Sequence, residues 1–430
     1  MPDACQVGVP DNGPVPIPAD DARTSVARWL ADPDSAEIRA AAGAALAAAP
    51  RDPLAAAAAL RRDRPALPAE LASAALEQAD LHALARERYG LDASALLLSR
   101  DGLEQATRPA LARHRADLIR ASGAEHVVDL TGGLGFDTAA LLAAGLAVTV
   151  VERDPATAVM LAHNCPGARV ITGDATDPLV MDELLRDLAP VDVLFADPAR
   201  RDPDAARGHD LRARPERDPA RWSPPWPVIE GLPHPRVAVK VAPSFEPPEG
   251  WHAEWASVQR SLVECAVFSW PVFAPARRAV VWSDGSPTII DADDGPIPAT
   301  AGELGRWLLE PDPAVARAGA LPAVLRAWPG LAPVDARSSW VTGATPAAGA
   351  PLRGYAVIAV LEGSATAQRR QLDRLGVSGL TVKSRDVPTA PRTILRELGR
   401  PEGAGHVLVV TRQAGRTVRV LCEPTASRAG

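Results

Sequence analysis

Four carboxylates placed at the ends of apolar runs carry the most chemistry in this chain. An apolar run ends in Asp129, Glu152 follows 148–151, Asp174 follows 170–173, and Asp197 follows 191–196. Behind Asp129 comes a turn, Thr131-Gly132-Gly133-Leu134-Gly135, and a helix-like stretch opens at Asp137. Glycine lets a backbone turn tightly and lie flat against a ligand. Strands that alternate with helices and each end in an acid describe one crevice at the carboxyl edge of a parallel sheet. The predicted fold class is therefore α/β, a doubly wound Rossmann-like sheet.

The acids also constrain what the crevice holds. A dinucleotide fingerprint needs a small residue at its third position, where this chain has Thr138. Asp137 in the first helical turn is a poor neighbour for a pyrophosphate at a helix N-terminus. Both residues weigh against a nicotinamide-dependent oxidoreductase. A cofactor without phosphates tolerates them. S-adenosylmethionine fits, because its sulfonium and ammonium suit acids such as Asp129. Glu152 is placed to accept from ribose hydroxyls, and Asp174 to accept from the adenine amine.

In order and spacing the four blocks, over roughly residues 105–285, resemble the class I S-adenosylmethionine-dependent methyltransferases. "DLTGGLGFDT", "FADPARR" and "VKSRDV…VLVVTRQAGRTVRVL" are similar to bacterial methyltransferase-fold proteins with a THUMP-like C-terminal domain, distant relatives of guanine-N2 methyltransferases of RNA. "EQATRPALARH", residues 104–114, resembles the Ser-x-Thr-Pro-type segment that precedes the cofactor fold in those enzymes. The resemblance implies that Gln105 and Thr107 line the methionine end of a pocket shared with Asp129, Thr131, Gly133, Gly135, Glu152 and Asp174.

Amino-group methyltransferases usually carry an Asp/Asn-Pro-Pro-aromatic tetrad, in which the acid and a backbone carbonyl hold the amine and the ring stacks on the base. In-line displacement at a sulfonium needs positioning more than acid–base help. This chain has Asp197-Pro198-Ala199-Arg200, so acid and proline are present and the ring is not. Arg200 and Arg201 offer planar cations that grip a phosphate or stack on a base, and Trp222 or Trp226 is the available ring. Lys240, in "PRVAVKVAP", either reaches the substrate or is a solvated strand end. The expected reaction is methyl transfer to an amino nitrogen of a base in structured RNA, a tRNA or rRNA. The altered tetrad keeps open a second reading, a methyltransferase-fold scaffold that binds RNA without catalysis.

These residues need a scaffold. The 430-residue chain is 47% hydrophobic and 4% aromatic, enough for two or three domains with an Ala-, Val- and Leu-rich core. The expected organisation is a disordered leader over 1–20, a helical domain over 21–104, the methyltransferase domain over 105–285, a connector over 286–350 and a small α+β, THUMP-like domain over 351–424. Sequences 257–270 and 277–285 are expected to be the last two strands, paired antiparallel. Net charge is −7, but residues 351–430 hold 13 Lys/Arg against six acids. A basic appendage suits a polyanion or is an ordinary solvated surface; if it touches RNA, Lys383, Ser384, Arg385 and Arg412 are its candidate contacts. The four cysteines lie far apart without metal-ligand spacing, so neither a metal site nor a disulfide framework is expected. The N-terminus lacks a signal-peptide pattern and no apolar run approaches 20 residues, so a cytoplasmic protein is expected.

Overall fold

The computed structural model describes residues 21–50, 52–186, 188–200, 216–283, 285–293, 295–385 and 387–424. The leader over 1–20, Arg201 and most of the charged stretch after it lie outside the described residues. The chain divides into two compact units, 1–195 and 196–430.

The first unit opens with helices α1 (Ala22–Ala31), α2 (Ala36–Ala48), α3 (Pro53–Asp63), α4 (Ala69–Tyr89), α5 (Arg100–Gln105) and α6 (Pro109–Ala121). Then strands and helices alternate: β1 (His126–Asp129), α7 (Phe136–Ala143), β2 (Ala147–Glu152), α8 (Pro155–Asn164), β3 (Arg169–Thr172), α9 (Pro178–Leu185) and β4 (Val193–Ala196). Asp-Pro pairs start several helices. Asp52, Asp154 and Asp177 cap α3, α8 and α9 by accepting a first-turn amide, with proline next in line. The carboxylate satisfies an orphan N–H, and proline has none to lose. The strands are parallel and ordered β3-β2-β1-β4. Chain order reverses between β1 and β4, the switch point at which such sheets bind ligands.

The helical segment over 21–104 is not a separate domain. Leu81, Ala85, Leu98 and Leu103 share one core with Leu134 of the glycine turn, and Arg23 of α1 pairs with Asp154 at 3.2 Å. An Ala-rich helix offers little apolar area per residue, so these helices complete their burial on the sheet unit.

In the second unit, α10 (Trp226–Glu230) is followed by β5 (Val237–Val241), β6 (His252–Val258), β7 (Ser261–Phe268), β8 (Arg277–Trp282) and β9 (Pro287–Ala292), in the order β5-β7-β6-β8-β9. The expected antiparallel pair is corrected here. Strand β7 pairs antiparallel with β5 and β6, while β8 pairs parallel with β6 and antiparallel with β9. The reason is a hairpin turn at Gln259 and Arg260, with φ of 48° and 63°, inside what reads as one strand. Two non-glycine residues in the left-handed region give no sequence signal.

The rest of the second unit comprises β10 (Trp307–Pro311), α11 (Pro313–Ala318), α12 (Leu321–Ala327), β11 (Ala332–Pro333), β12 (Val341–Gly343), β13 (Leu352–Leu361), α13 (Ala365–Arg374), β14 (Leu380–Ser384), α14 (Pro391–Leu398), β15 (Glu402–Gln413) and β16 (Arg416–Pro424). From β13 onward the elements follow the order expected from the sequence, including the hairpin at Ala414 and Gly415, with φ of 46° and 75°. The connector expectation is corrected. β10, β11 and β12 join β13 to β16 in one sheet, ordered β11-β12-β10-β13-β16-β15-β14. The helix-like piece at 303–319 begins as strand β10 and turns helical only after Asp312, whose carboxylate caps α11.

Candidate functional site

The glycine turn is built around two acids. Asp129, 1% exposed, ends β1. One of its oxygens accepts the Thr131 amide at 3.0 Å, and the other accepts the buried Thr138 hydroxyl at 2.8 Å. Thr138 therefore fills the third fingerprint position because its hydroxyl ties α7 to β1. Glu152, ending β2, accepts the Gly133 amide on one oxygen and the Asp154 amide on the other, each at 2.8 Å. It clamps the turn onto β2. Burial raises its pKa, opposed by those amide donors.

The three glycines do different work. A Cβ on Gly132 would lie 2.5 Å from Val150 and Leu161 side-chain carbons, and one on Gly135 would lie 2.6 Å from Cys165 Sγ. Both let the turn press against α8 and β2. Gly133, at φ 53°, would bring its Cβ no nearer to a neighbour than 4.0 Å, to the Thr131 carbonyl oxygen. Of the three glycines it is the one where a side chain would meet no clash.

The upstream segment is stitched to this turn. Thr107 donates to Asp137 at 2.5 Å, and the buried Arg115 of α6 pairs with the other Asp137 oxygen at 2.7 Å. Asp137 is thus matched by a cation within the protein. Gln105 lies exposed at the end of α5. Asn164 donates to the carbonyls of Leu97 and Leu134, both at 2.9 Å. Neither Arg115 nor Asn164 was among the sequence candidates. Arg115 left a signal: it stands among Leu111, Ala112, Ala116 and Ile119 on the buried face of α6, where a cation demands a partner. Asn164 left none. Asp174, two residues past β3, is exposed and accepts the Thr176 amide and hydroxyl at 2.8 and 2.7 Å. Burial would raise its pKa, but these bonds and Arg153 outweigh it and lower it.

Asp197 follows β4 directly and forms an ion pair with Lys240 of β5. Lys240 is 7% exposed, so it is no solvated strand end. Pro198 is buried, and Ala199 exchanges backbone hydrogen bonds with Ser223 at 2.8 and 3.0 Å. The Arg200 carbonyl accepts the Glu216 amide at 2.7 Å. The tetrad is thereby pinned beside a cluster of rings: Trp226 lies 4.5 Å from Phe245 and 5.5 Å from Trp251, centroid to centroid, with Trp222 at 6.5 Å. Trp222 and Trp226 are buried within it, whereas Phe245 and Trp251 keep partial exposure.

Lys383 and Arg385 both reach the buried carboxylate of Glu310, at 2.8 and 3.0 Å. Among the described residues, no group of three or more His, Cys, Asp or Glu is placed to hold a metal ion, and no helix is long and apolar enough to cross a membrane.

Residues 352–424 match the THUMP domain-like family. Two relatives from Mycobacterium tuberculosis, of the CDC 1551/Oshkosh and H37Rv strains, are described as uncharacterized S-adenosylmethionine-dependent methyltransferases. Each is 28% identical over 333 residues, covering 74% of this chain and 85% of the relative. A crystal structure from Porphyromonas gingivalis W83, of a candidate methyltransferase, superposes with a TM-score of 0.62 at 21% identity, covering 84% of this chain and 92% of that one. The chain therefore has an α/β methyltransferase fold, is similar to S-adenosylmethionine-dependent methyltransferases, and ends in a THUMP-like domain.

Proposed function

We propose that this protein is an S-adenosylmethionine-dependent methyltransferase acting on an amino nitrogen of a base in structured RNA. The observation that carries the reading is the glycine turn at the β1/β4 switch point, clamped by Asp129 and Glu152, with no clash for a side chain at Gly133. The donor set fits the cofactor. Acids end the strands, and the one acid in the first turn of α7 already has its cation in Arg115. When bound, the cofactor supplies an electrophilic methyl on a sulfonium, a leaving group that needs no protonation.

The protein's part is positioning. Gly133 gives the cofactor its backbone, Glu152 and Asp174 accept from its hydroxyls and amine, and Gln105, Thr107 and Thr131 take its methionine end. Asp197 accepts a hydrogen bond from the target amine, the Pro198 carbonyl accepts the second, and Lys240 fixes the carboxylate in place. Ala199 leaves the stacking role to a neighbouring ring, and Phe245 and Trp251 keep the exposure that Trp226 lacks. The THUMP-like match and the basic balance of residues 351–430 support RNA as the substrate class.

The test is transfer of labelled methyl from S-adenosylmethionine to total cellular RNA, paired with calorimetry of cofactor binding. Asp197→Ala is expected to abolish transfer and spare cofactor affinity. Equal loss of both would show that its role is misassigned. Cofactor binding by the unaltered protein without any transfer to RNA would favour the scaffold.

A further inference from the structure

The carboxylate of Glu310, on β10, is 4% exposed and meets three cations: Lys383 at 2.8 Å, Arg385 at 3.0 Å and Arg260 at 3.5 Å. The Tyr355 hydroxyl also donates to it at 2.9 Å. A fourth cation, Arg353, stands directly opposite Glu310 in the β10–β13 register. Its guanidinium carbon lies 5.6 Å from the Tyr355 ring centroid, and the Lys383 ammonium lies at the same distance. Among the described residues Arg353 makes no ion pair. One carboxylate is thus shared by three half-buried cations with Arg353 as a fourth beside them, which leaves an excess of positive charge where solvent screens it poorly. Beside it a cavity of about 270 Å³ is lined by Arg260, Arg353, Gly354 and the 346–350 loop, with no acid on its wall. A water molecule occupies about 30 Å³ of liquid, so the space admits a tetrahedral oxyanion with part of what carries it. Guanidinium forks match such an anion bidentately.

We infer that this cavity binds a phosphate of an RNA backbone, gripped by Arg353 and Arg260, with Lys383 and Arg385 supplying the surrounding field. The site rests on the RNA reading above and deepens it, because it places one contact of the substrate. Arg260 and the 346–350 loop lie outside the THUMP-like match at 352–424, so the site is assembled from that domain and the strands before it. Glu310 orders three of the cations and keeps them from collapsing onto solvent-facing acids.

The experiment uses the full chain and a fluorescein-labelled single-stranded oligoribonucleotide of about twelve nucleotides, followed by anisotropy across a salt series. Arg353→Gln is expected to weaken binding roughly threefold to tenfold and to flatten the log–log salt slope by about 0.7, the loss of one phosphate contact on a single strand. Arg353→Lys should keep the slope. Arg396→Gln, an equal charge loss on α14, should leave slope and affinity in place. Unchanged melting temperatures exclude unfolding as the cause. RNA binding that is indifferent to Arg353→Gln, or equally weakened by Arg396→Gln, overturns this site and leaves the RNA reading standing. A calorimetric arm with AMP separates the sources of phosphate. AMP bound through Arg353 by a protein with no affinity for the oligoribonucleotide would overturn the backbone assignment and the RNA substrate together. Absence of binding to either probe overturns the site outright.

Discussion

The burial of Glu152 and its work as an acceptor respond oppositely to pH. Glu152 accepts two backbone amides that hold the glycine turn, and in the function proposed above it also accepts from the cofactor. Burial raises its pKa above the ordinary value of 4.5. The folded protein therefore takes up this proton more readily than the unfolded chain, and the group's contribution to stability falls as pH rises through the window above 4.5. Acidification through the same window removes the charged acceptor. S-adenosylmethionine affinity is expected to drop on acidification at a pH above the usual carboxylate range, measured by calorimetry, and Glu152→Gln should erase that dependence. An unchanged profile in the variant would take Glu152 out of the site. Glu152→Ala orphans both amides, so it should cost about 1–3 kcal/mol of stability in urea unfolding as well as cofactor affinity. A variant that lost only affinity would mean the clamp contributes nothing to the fold.

At the scale of the element, the glycine turn separates packing from access. Gly135→Ala puts a methyl 2.6 Å from Cys165 Sγ at a φ of 87°, and should destabilise the protein by about 2–4 kcal/mol from overpacking and strain together. Gly133→Ala meets nothing nearer than the Thr131 carbonyl oxygen at 4.0 Å, at φ 53°. It should cost about 1–2 kcal/mol for the left-handed backbone yet impair cofactor binding more than Gly135→Ala does per unit of stability lost. Thermal melts beside calorimetry distinguish the two, and matched losses would deny Gly133 a ligand-facing role. This turn was legible in the sequence because glycine spacing, a strand before it and an acid at each strand end all pointed one way. The β13–β16 segment was legible because its strands and helices are long enough to show a period. The hairpin at Gln259 and Arg260 was not, since neither residue advertises a turn. Nor were β10, β11 and β12, at two to five residues in a proline-rich stretch too short for any period to emerge. The tie from Asn164 to Leu134 spans 30 residues of chain, a separation that local patterning does not encode.

For the whole molecule, the C-terminal domain and the segment before it form one sheet, which changes what a truncation tests. A chain ending at residue 350 keeps β10 but removes its partner β13, and strips Glu310 of Lys383, Arg385 and Tyr355. It would bare a strand edge and leave the Glu310 carboxylate with Arg260 alone of its three cations, so it should aggregate rather than yield a clean catalytic fragment. Point substitution is the better probe of this region, and Glu310 shows why. Burial pushes its pKa up, but bonds from Lys383 and Tyr355 and the Arg385 charge outweigh that and hold it below the ordinary 4.5. Its stabilisation is therefore full above 4.5 and lost as pH falls through the lowered folded value. Glu310→Gln leaves three cations without their shared anion. At neutral pH it should cost about 3–5 kcal/mol in urea unfolding. At acid pH, below the ordinary carboxylate range, where the native carboxylate loses its charge, the gap between variant and parent should narrow. A gap equally wide at both pH values would mean that Glu310 acts through shape alone, and the three cations paired with it would then need no anion to hold them.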